Sequence, residues 1–327
     1  MAAIADTRRA AASFAPWLCG LMVIAVAIAP GGVVAAREPL EPLSKFNLAE
    51  PQPGVFVHLG RDLPLDAPGH DDIANIGFVV GSKCVAVIDT GGSVRIGREL
   101  RAEILRRTRL PICYVINTHA HVDHVLGNFA FDQDRPHFVG HPALADAMIR
   151  NRPYFLQQYG ADFDAVPSAG QVVGPDRRVD GELKLDLGQR ILHLVAWPTA
   201  HSDCDLTVYD ERTRTLWTGD LLFRERLPAL DGNLKGWLAA IEALSRMSSR
   251  LVIPGHGSLT SDLTGSLTRE RDYLSALEKG VRDELARGQS MQDAIEHVAL
   301  PERGRWTLWP DVHPRNVARA YEELQWE

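Results

Sequence analysis

Cysteine is scarce in this sequence, which contains 4 cysteines among 327 residues. Cys19 lies in an N-terminal apolar segment, which leaves Cys84, Cys113 and Cys204 for the rest of the chain. Three thiols cannot all pair internally, and their spacing does not resemble a disulfide framework. We interpret Cys84 and Cys113 as small buried residues on neighbouring strands.

Positive charge is not in excess either. The formal net charge is −7 at pH 7, and it becomes −8 when residues 1–36, which contribute +1, are set aside. A nucleic-acid backbone favours clustered Lys and Arg, so this balance argues against nucleic acid as a partner. We therefore expect a small-molecule substrate.

Long apolar runs are also rare, and the one notable run covers residues 14–30. Arg8 and Arg9 precede it and the small residues 34–36 follow it, which is the layout of a cleavable signal peptide over residues 1–36. The run is short for a membrane span. The sequence thus predicts an exported protein with no membrane anchor after signal cleavage.

Histidine, in contrast, is concentrated in one short segment. Residues 119–124 read His119-Ala120-His121-Val122-Asp123-His124 and directly follow an apolar, β-branched stretch that reads as a buried strand. Neutral imidazole and carboxylate groups suit zinc, iron or manganese, whereas closed structural zinc sites favour thiolates. The segment predicts a catalytic metal site at the end of a strand.

Three further candidate ligands lie where other apolar runs stop. They are His201, Asp220 and His256. Each one alone could be an ordinary hydrogen-bonded loop residue. Polar residues at successive strand ends collect along one rim of a sheet, so together they predict a single site.

The apolar runs fall into two series of short strands with helical patterns between them. This arrangement predicts an α/β fold in which two sheets pack face to face and helix layers cover each sheet. From about residue 263 the pattern is helical and charged, which predicts a C-terminal helical extension packed on the sandwich. The predicted helices there cover residues 269–287, 291–298 and 316–324.

The seven candidate ligands, in this order, resemble those of the metallo-β-lactamase superfamily of binuclear metallohydrolases. The resemblance covers about Gly54 to Ser258 and implies the four-layer αββα sandwich of that superfamily. Together with the signal peptide (1–36) and the helical extension (263–327) read from the sequence pattern, it predicts a hydrolase domain at residues 37–262. It also implies a first metal held by His119, His121 and His201, a second held by Asp123, His124 and His256, and Asp220 as the bridging carboxylate.

Within the superfamily, five segments are similar to the quinoprotein relay system zinc metallohydrolases. The segments are 69–78, 196–201, 219–223, 230–237 and 313–317. This likeness implies a periplasmic location and a possible association with a quinoprotein dehydrogenase system. Cys204 departs from the pattern, because we expect Asn at that position.

The expected chemistry comes from the metals, since no Gly-x-Ser-x-Gly segment offers a side-chain nucleophile. Two cations would activate a bridging hydroxide for attack on a carbonyl, and Asp123 would orient it. The mostly imidazole ligands favour zinc, although iron or manganese would also accept them. Asp89, at the end of a strand, is expected to fix a ligand histidine, and His141 is expected to be structural.

The pairing of His124 with Asp220 resembles glyoxalase-type thioesterases and lactonases more than lactamases that use a cysteine ligand. We therefore expect cleavage of an ester, a thioester or a lactone. Hydrolysis of β-lactams is the enzymatic alternative. A third possibility is a metal-binding accessory protein of a quinoprotein dehydrogenase system with little turnover.

Overall fold

The computed structural model of the chain describes residues 46–164 and 166–327. The predicted signal peptide, residues 1–36, lies outside these ranges. Across the part that is described, no helix combines the length and the apolar character that crossing a membrane requires.

The first sheet contains seven strands in sequential order. Neighbours from β1 to β4 are antiparallel, and those from β4 to β7 are parallel. Because β4 and β5 are parallel, Asp89 after β4 and His119 after β5 emerge at the same edge of the sheet. The strands are β1 (Leu48–Gln52), β2 (Val55–His58), β3 (Ile76–Val80), β4 (Val85–Ile88), β5 (Ile112–Ile116), β6 (His137–Gly140) and β7 (Arg177–Arg178).

The second sheet contains five strands in the order β12-β11-β10-β9-β8. β11 and β12 are parallel, and the other neighbours are antiparallel. The sequence predicts that the strand before Asp220 stops near that residue, but β11 continues through Gly219, whose φ is +52°, to Phe223. Asp220 thus lies within a strand. The strands are β8 (Glu182–Asp186), β9 (Ile191–Ala196), β10 (Leu206–Asp210), β11 (Thr215–Phe223) and β12 (Leu251–His256).

Helices cover both outer faces, which confirms the four-layer αββα architecture. Apolar residues of both sheets pack between the sheets, among them Ile88, Ile116, Leu194 and Trp217. α1 covers the first sheet, α4 packs on the second sheet, and α5 and α7 pack in the same core as a C-terminal helical region. The helices are α1 (Val94–Arg107), α2 (Val122–Val125), α3 (Leu144–Gln158), α4 (Leu234–Leu244), α5 (Leu263–Ala286), α6 (Met291–His297) and α7 (Trp309–Leu324).

Arg190 links the two sheets through a buried ion pair with Asp210 and through hydrogen bonds to the first sheet region. Arg190 donates to both carboxylate oxygens of Asp210, at 3.1 and 2.6 Å, and the side chains of the pair are 1% and 0% exposed. The same guanidinium also donates to the carbonyls of Pro53 and Val80 in the first sheet region. Arg190 therefore satisfies groups from both sheets at once.

We expect Arg190→Met to lower the free energy of unfolding by about 3 to 5 kcal/mol, because it leaves the Asp210 carboxylate buried without its partner. Urea unfolding followed by circular dichroism measures the change. The matched control is Lys184→Met, whose ion pair with Glu211 is exposed and should contribute less than about 1 kcal/mol. Equal losses in the two variants would contradict this role.

Candidate metal centre

The seven predicted ligands converge in space. One group consists of His119, His121, His201 and Asp220, and a second consists of Asp123, His124 and His256; within each group the ligand atoms lie within 4.8 Å of one another. All seven side chains are buried except His121, which is half-buried. They come from the β5–α2 turn, α2, the loop after β9, β11 and the end of β12.

Asp220 lies between the two groups. Its Oδ2 is 3.7 Å from His119 Nε2, 3.4 Å from His201 Nε2 and 3.3 Å from His256 Nε2. Its Oδ1 is 3.2 Å from His124 Nε2. The carboxylate thus contacts imidazoles of both groups, which is the position that a bridging ligand requires.

Each ligand histidine contacts a residue outside the two donor groups through one of its ring nitrogens. Four rings use Nδ1 for this contact and direct Nε2 toward the donor groups, whereas His121 uses Nε2 and directs Nδ1 inward. The outer contacts are His119 to Thr118 Oγ1 (3.0 Å), His124 to Asp89 (2.8 Å), His201 to the Ala229 carbonyl (2.7 Å), His256 to the Ile73 carbonyl (2.8 Å) and His121 to Asp231 (3.2 Å).

Asp89 fixes two of these rings, one directly and one through Thr118. The sequence predicts this role for a single ligand histidine. Its Oδ2 accepts hydrogen bonds from His124 Nδ1 and from Thr118 Oγ1, and its Oδ1 accepts one from the Thr118 amide. Because the Thr118 hydroxyl donates to Asp89, it accepts from His119 Nδ1. Asp89 therefore fixes the tautomer of His124 directly and that of His119 through Thr118.

The donor groups fit a metal ion. His119 Nε2, His124 Nε2 and Asp220 Oδ1 are buried atoms without a hydrogen-bond partner, and such atoms are costly unless something binds them. His201 Nε2 and His121 Nδ1 lie 3.0 Å apart, and their outer contacts leave a lone pair on each. A bound cation would give the unpartnered buried atoms a partner and would accept the facing lone pairs of the two histidines. Zinc, iron and manganese accept this donor set.

The charges of these groups also favour a cation. Burial lowers the pKa of His201 to about 4, and burial together with the neighbouring His124 lowers that of His119 well below its usual value. Both rings are therefore neutral at pH 7 and offer lone pairs. Burial opposes ionisation of Asp220, but His256, His124 and His119 hold the pKa of Asp220 well below its usual range.

Sequence reasoning missed Asp231 and Asn316. Asp231 contacts His121 Nε2, and Asn316 bonds the backbone on both sides of Ala229, the residue that holds His201. In the sequence, a role for these residues was indicated only by the family-like segments: Asp231 lies in segment 230–237, and Asn316 lies in segment 313–317. His141, as expected, is structural: its Nδ1 accepts from the Ala143 amide at the start of α3.

Comparisons with known proteins agree with this geometry. Residues 70–256 match the family profile of the metallo-beta-lactamase superfamily. Acyl-coenzyme A thioesterase MBLAC2 of Homo sapiens is 29% identical over 219 residues, which is 56% of this chain and 72% of that protein. Atrochrysone carboxyl ACP thioesterase nsrC of Aspergillus novofumigatus (strain IBT 16806) is 25% identical over 248 residues, which is 72% of this chain and 67% of that protein.

Solved structures show the same fold. A metallo-beta-lactamase from Pontibacter korlensis superimposes with a TM-score of 0.55 at 19% identity, covering 70% of this chain and 98% of its own. The stereoselective inverting sec-alkylsulfatase Pisa1 from Pseudomonas sp. superimposes with a TM-score of 0.65 at 18% identity, covering 85% of this chain and 50% of its own.

Gly255 provides the space for the Asp220 carboxylate, because a Cβ at position 255 would lie 1.8 Å from Asp220 Oδ1. We expect Gly255→Ala to displace Asp220 and to lower the metal content that the chain retains after dialysis, as measured by elemental analysis. The control is Gly304→Ala, since no atom lies within 4 Å of the added Cβ. Unchanged metal content in Gly255→Ala would contradict the bridging position of Asp220.

Proposed function

Because the chain belongs to the metallo-β-lactamase superfamily and is a metal-dependent hydrolase, we propose that it cleaves an ester, thioester or lactone at a centre of two zinc ions. The observation that carries the proposal is the position of Asp220, which lies within 3.7 Å of imidazole nitrogens from both donor groups. A carboxylate in that place holds two cations close together.

In this proposal His119, His121 and His201 bind the first ion, Asp123, His124 and His256 bind the second, and Asp220 binds both. When bound, the two cations would supply Lewis acidity to a carbonyl oxygen and would lower the pKa of a bound water molecule. Zinc is proposed because five of the seven donors are imidazoles.

Asp123 orients the attacking water. Its Oδ2 lies 3.3 Å from His256 Nε2 and 3.6 Å from His124 Nε2. Burial disfavours its charge, but the two histidines bring the pKa of Asp123 below its usual range, so it stays ionised. An ionised carboxylate accepts a hydrogen bond from water and directs the oxygen lone pair toward the carbonyl carbon. The water oxygen becomes part of the product carboxyl group as the C–S or C–O bond breaks, and the proton that the water gives up passes to the leaving group.

Two observations favour thioester or ester cleavage over β-lactam cleavage. The second donor group contains His124 beside Asp220, and none of Cys84, Cys113 and Cys204 belongs to either group. Two relatives that match over more than half of the chain carry the name thioesterase. β-Lactam hydrolysis remains the alternative outcome of the substrate test below.

A cavity of about 520 Å³ is the proposed substrate site. One wall contains His70, and three residues later the Ile73 carbonyl holds His256. The lining also contains Arg315 of α7, one helical turn before Arg319, which bonds Gly232 beside Asp231. Two lining residues therefore lie three and four positions along the chain from residues that support the donor groups. The cavity lining also includes Leu65, Asp66, Tyr154, Gln158, Tyr159 and Asp311.

We also propose that the protein acts in the periplasm as a member of the quinoprotein relay system zinc metallohydrolases. The support is the export signal read from residues 1–36 and the similar segments, especially 230–237 and 313–317. Fractionation of cells that express the full chain tests the location, since recovery only in the cytoplasm would contradict it. An association with a quinoprotein dehydrogenase system belongs to the same proposal.

We expect the zinc-loaded protein to hydrolyse a thioester or a lactone faster than a cephalosporin, and a chelator to abolish the activity until zinc is restored. Steady-state kcat/KM values for one substrate of each class measure the order. Fast turnover of the cephalosporin alone would favour a β-lactamase. Absence of turnover with all three would favour the accessory role.

Within the same assay, Asp123→Asn should lower kcat by about 100-fold or more, because a neutral amide is a much weaker hydrogen-bond acceptor for the attacking water than an ionised carboxylate. The zinc content of the variant is measured on the same sample. Asp176→Asn is the control, since Asp176 is half-exposed and pairs with His137 on the first sheet. An unchanged kcat in Asp123→Asn would remove Asp123 from the mechanism.

A further inference from the structure

We propose that Asn316 of α7 is a positioning residue for the ligand His201, so that the C-terminal helical region forms part of the metal centre. The inference rests on the proposed metal ligation by His201. It does not depend on which bond the protein cleaves.

The contact that orients His201 is made by a backbone atom. His201 Nδ1 donates to the carbonyl of Ala229 at 2.7 Å, and this bond leaves Nε2 free to face Asp220 at 3.4 Å. Ala229 lies between β11 and α4, outside any regular element. Its carbonyl therefore needs another part of the fold to hold it in place.

Asn316 provides that support on both sides of Ala229. Its Oδ1 accepts a hydrogen bond from the Leu230 amide at 2.9 Å, and its Nδ2 donates to the Pro228 carbonyl at 2.7 Å. The side chain is buried, with 2% of its surface exposed. One amide group thus fixes the residues immediately before and after Ala229.

A buried network fixes the Asn316 side chain in turn. Asn316 Nδ2 also donates to the hydroxyl of Tyr273 on α5, at 2.9 Å. That hydroxyl donates to His313 Nδ1 at 3.0 Å, and His313 Nε2 donates to the Val298 carbonyl at 3.1 Å. The amide can therefore adopt only one orientation, with its oxygen toward Leu230.

α7 holds the other side of the same loop through Arg319. The guanidinium donates to the Gly232 carbonyl at 3.1 and 2.6 Å. The amides of Gly232 and Asp231 donate to the His201 carbonyl at 2.6 and 3.2 Å. His201 is thus supported by α7 at its ring through Ala229 and at its backbone through Gly232.

The test compares the zinc affinity of the wild-type chain with that of Asn316→Leu, which keeps the side-chain volume but removes both bonds to the loop. Competition with a chromophoric chelator at pH 7 gives the affinity of each of the two zinc ions. We expect about tenfold weaker binding of one ion, because support of a ligand histidine typically contributes 10 to 100-fold in metal affinity. The other ion should bind with unchanged affinity.

Tyr273→Phe is the matched control. It removes a hydroxyl from the same buried network but leaves the bonds from Asn316 to Pro228 and Leu230 in place. We expect it to lower the stability of the metal-free protein and to weaken zinc binding less than Asn316→Leu does, because both bonds to the loop remain. Equal loss of zinc affinity in Tyr273→Phe and Asn316→Leu would overturn the proposal, because the effect would then follow general stability.

Arg319→Met provides a second variant that the fold should tolerate, since Arg319 lies at an exposed position. It should weaken binding of the same ion by a smaller factor. Wild-type affinity for both ions in Asn316→Leu and Arg319→Met would overturn the positioning role alone. Failure of the wild-type chain to bind zinc would instead overturn the proposed metal centre, and the positioning role with it.

Discussion

The arrangement of the seven donors depends on the hydrogen bond that each histidine ring makes with a residue outside the donor groups. Seven donors meet at one buried place, where free imidazoles and carboxylates would otherwise rotate toward one another and pair among themselves. A carboxylate or a backbone carbonyl holds four of the five rings, and Thr118, itself bonded to Asp89, holds the fifth. These contacts select the tautomer of each ring and keep the inner nitrogens directed at a common point before any ion arrives.

The fold supplies these contacts from distant parts of the chain. The parallel pair β4 and β5 brings Asp89 beside the His119–His124 segment, and the parallel pair β11 and β12 brings Asp220 beside His256. Arg190 joins the two sheets through its bonds to Asp210, Pro53 and Val80. The C-terminal helices add a third source of support at Pro228 and Leu230.

The donors and the four layers were predictable because both follow from local patterns. Histidine and aspartate at strand ends mark ligands, and the periods of apolar residues mark strands and helices. Asp231 and Asn316 were not predictable, because their roles arise from contacts with His121 and with the Ala229 loop that sequence spacing does not encode. The course of β11 through Gly219 depends on its pairing with β12, another long-range contact. The domain boundaries at residues 37, 262 and 263 and the signal peptide stay predictions.

The bond from His256 to the Ile73 carbonyl has an evolutionary consequence. The segment that forms one wall of the cavity, at residues 64–66 and His70, ends in the backbone that holds a ligand. Side chains at 64–66 can be exchanged to suit new substrates without touching the metal ligands. Insertions or deletions between His70 and Ile73 would shift that carbonyl and disturb His256, so this short segment tolerates less change in length than the outer part of the loop.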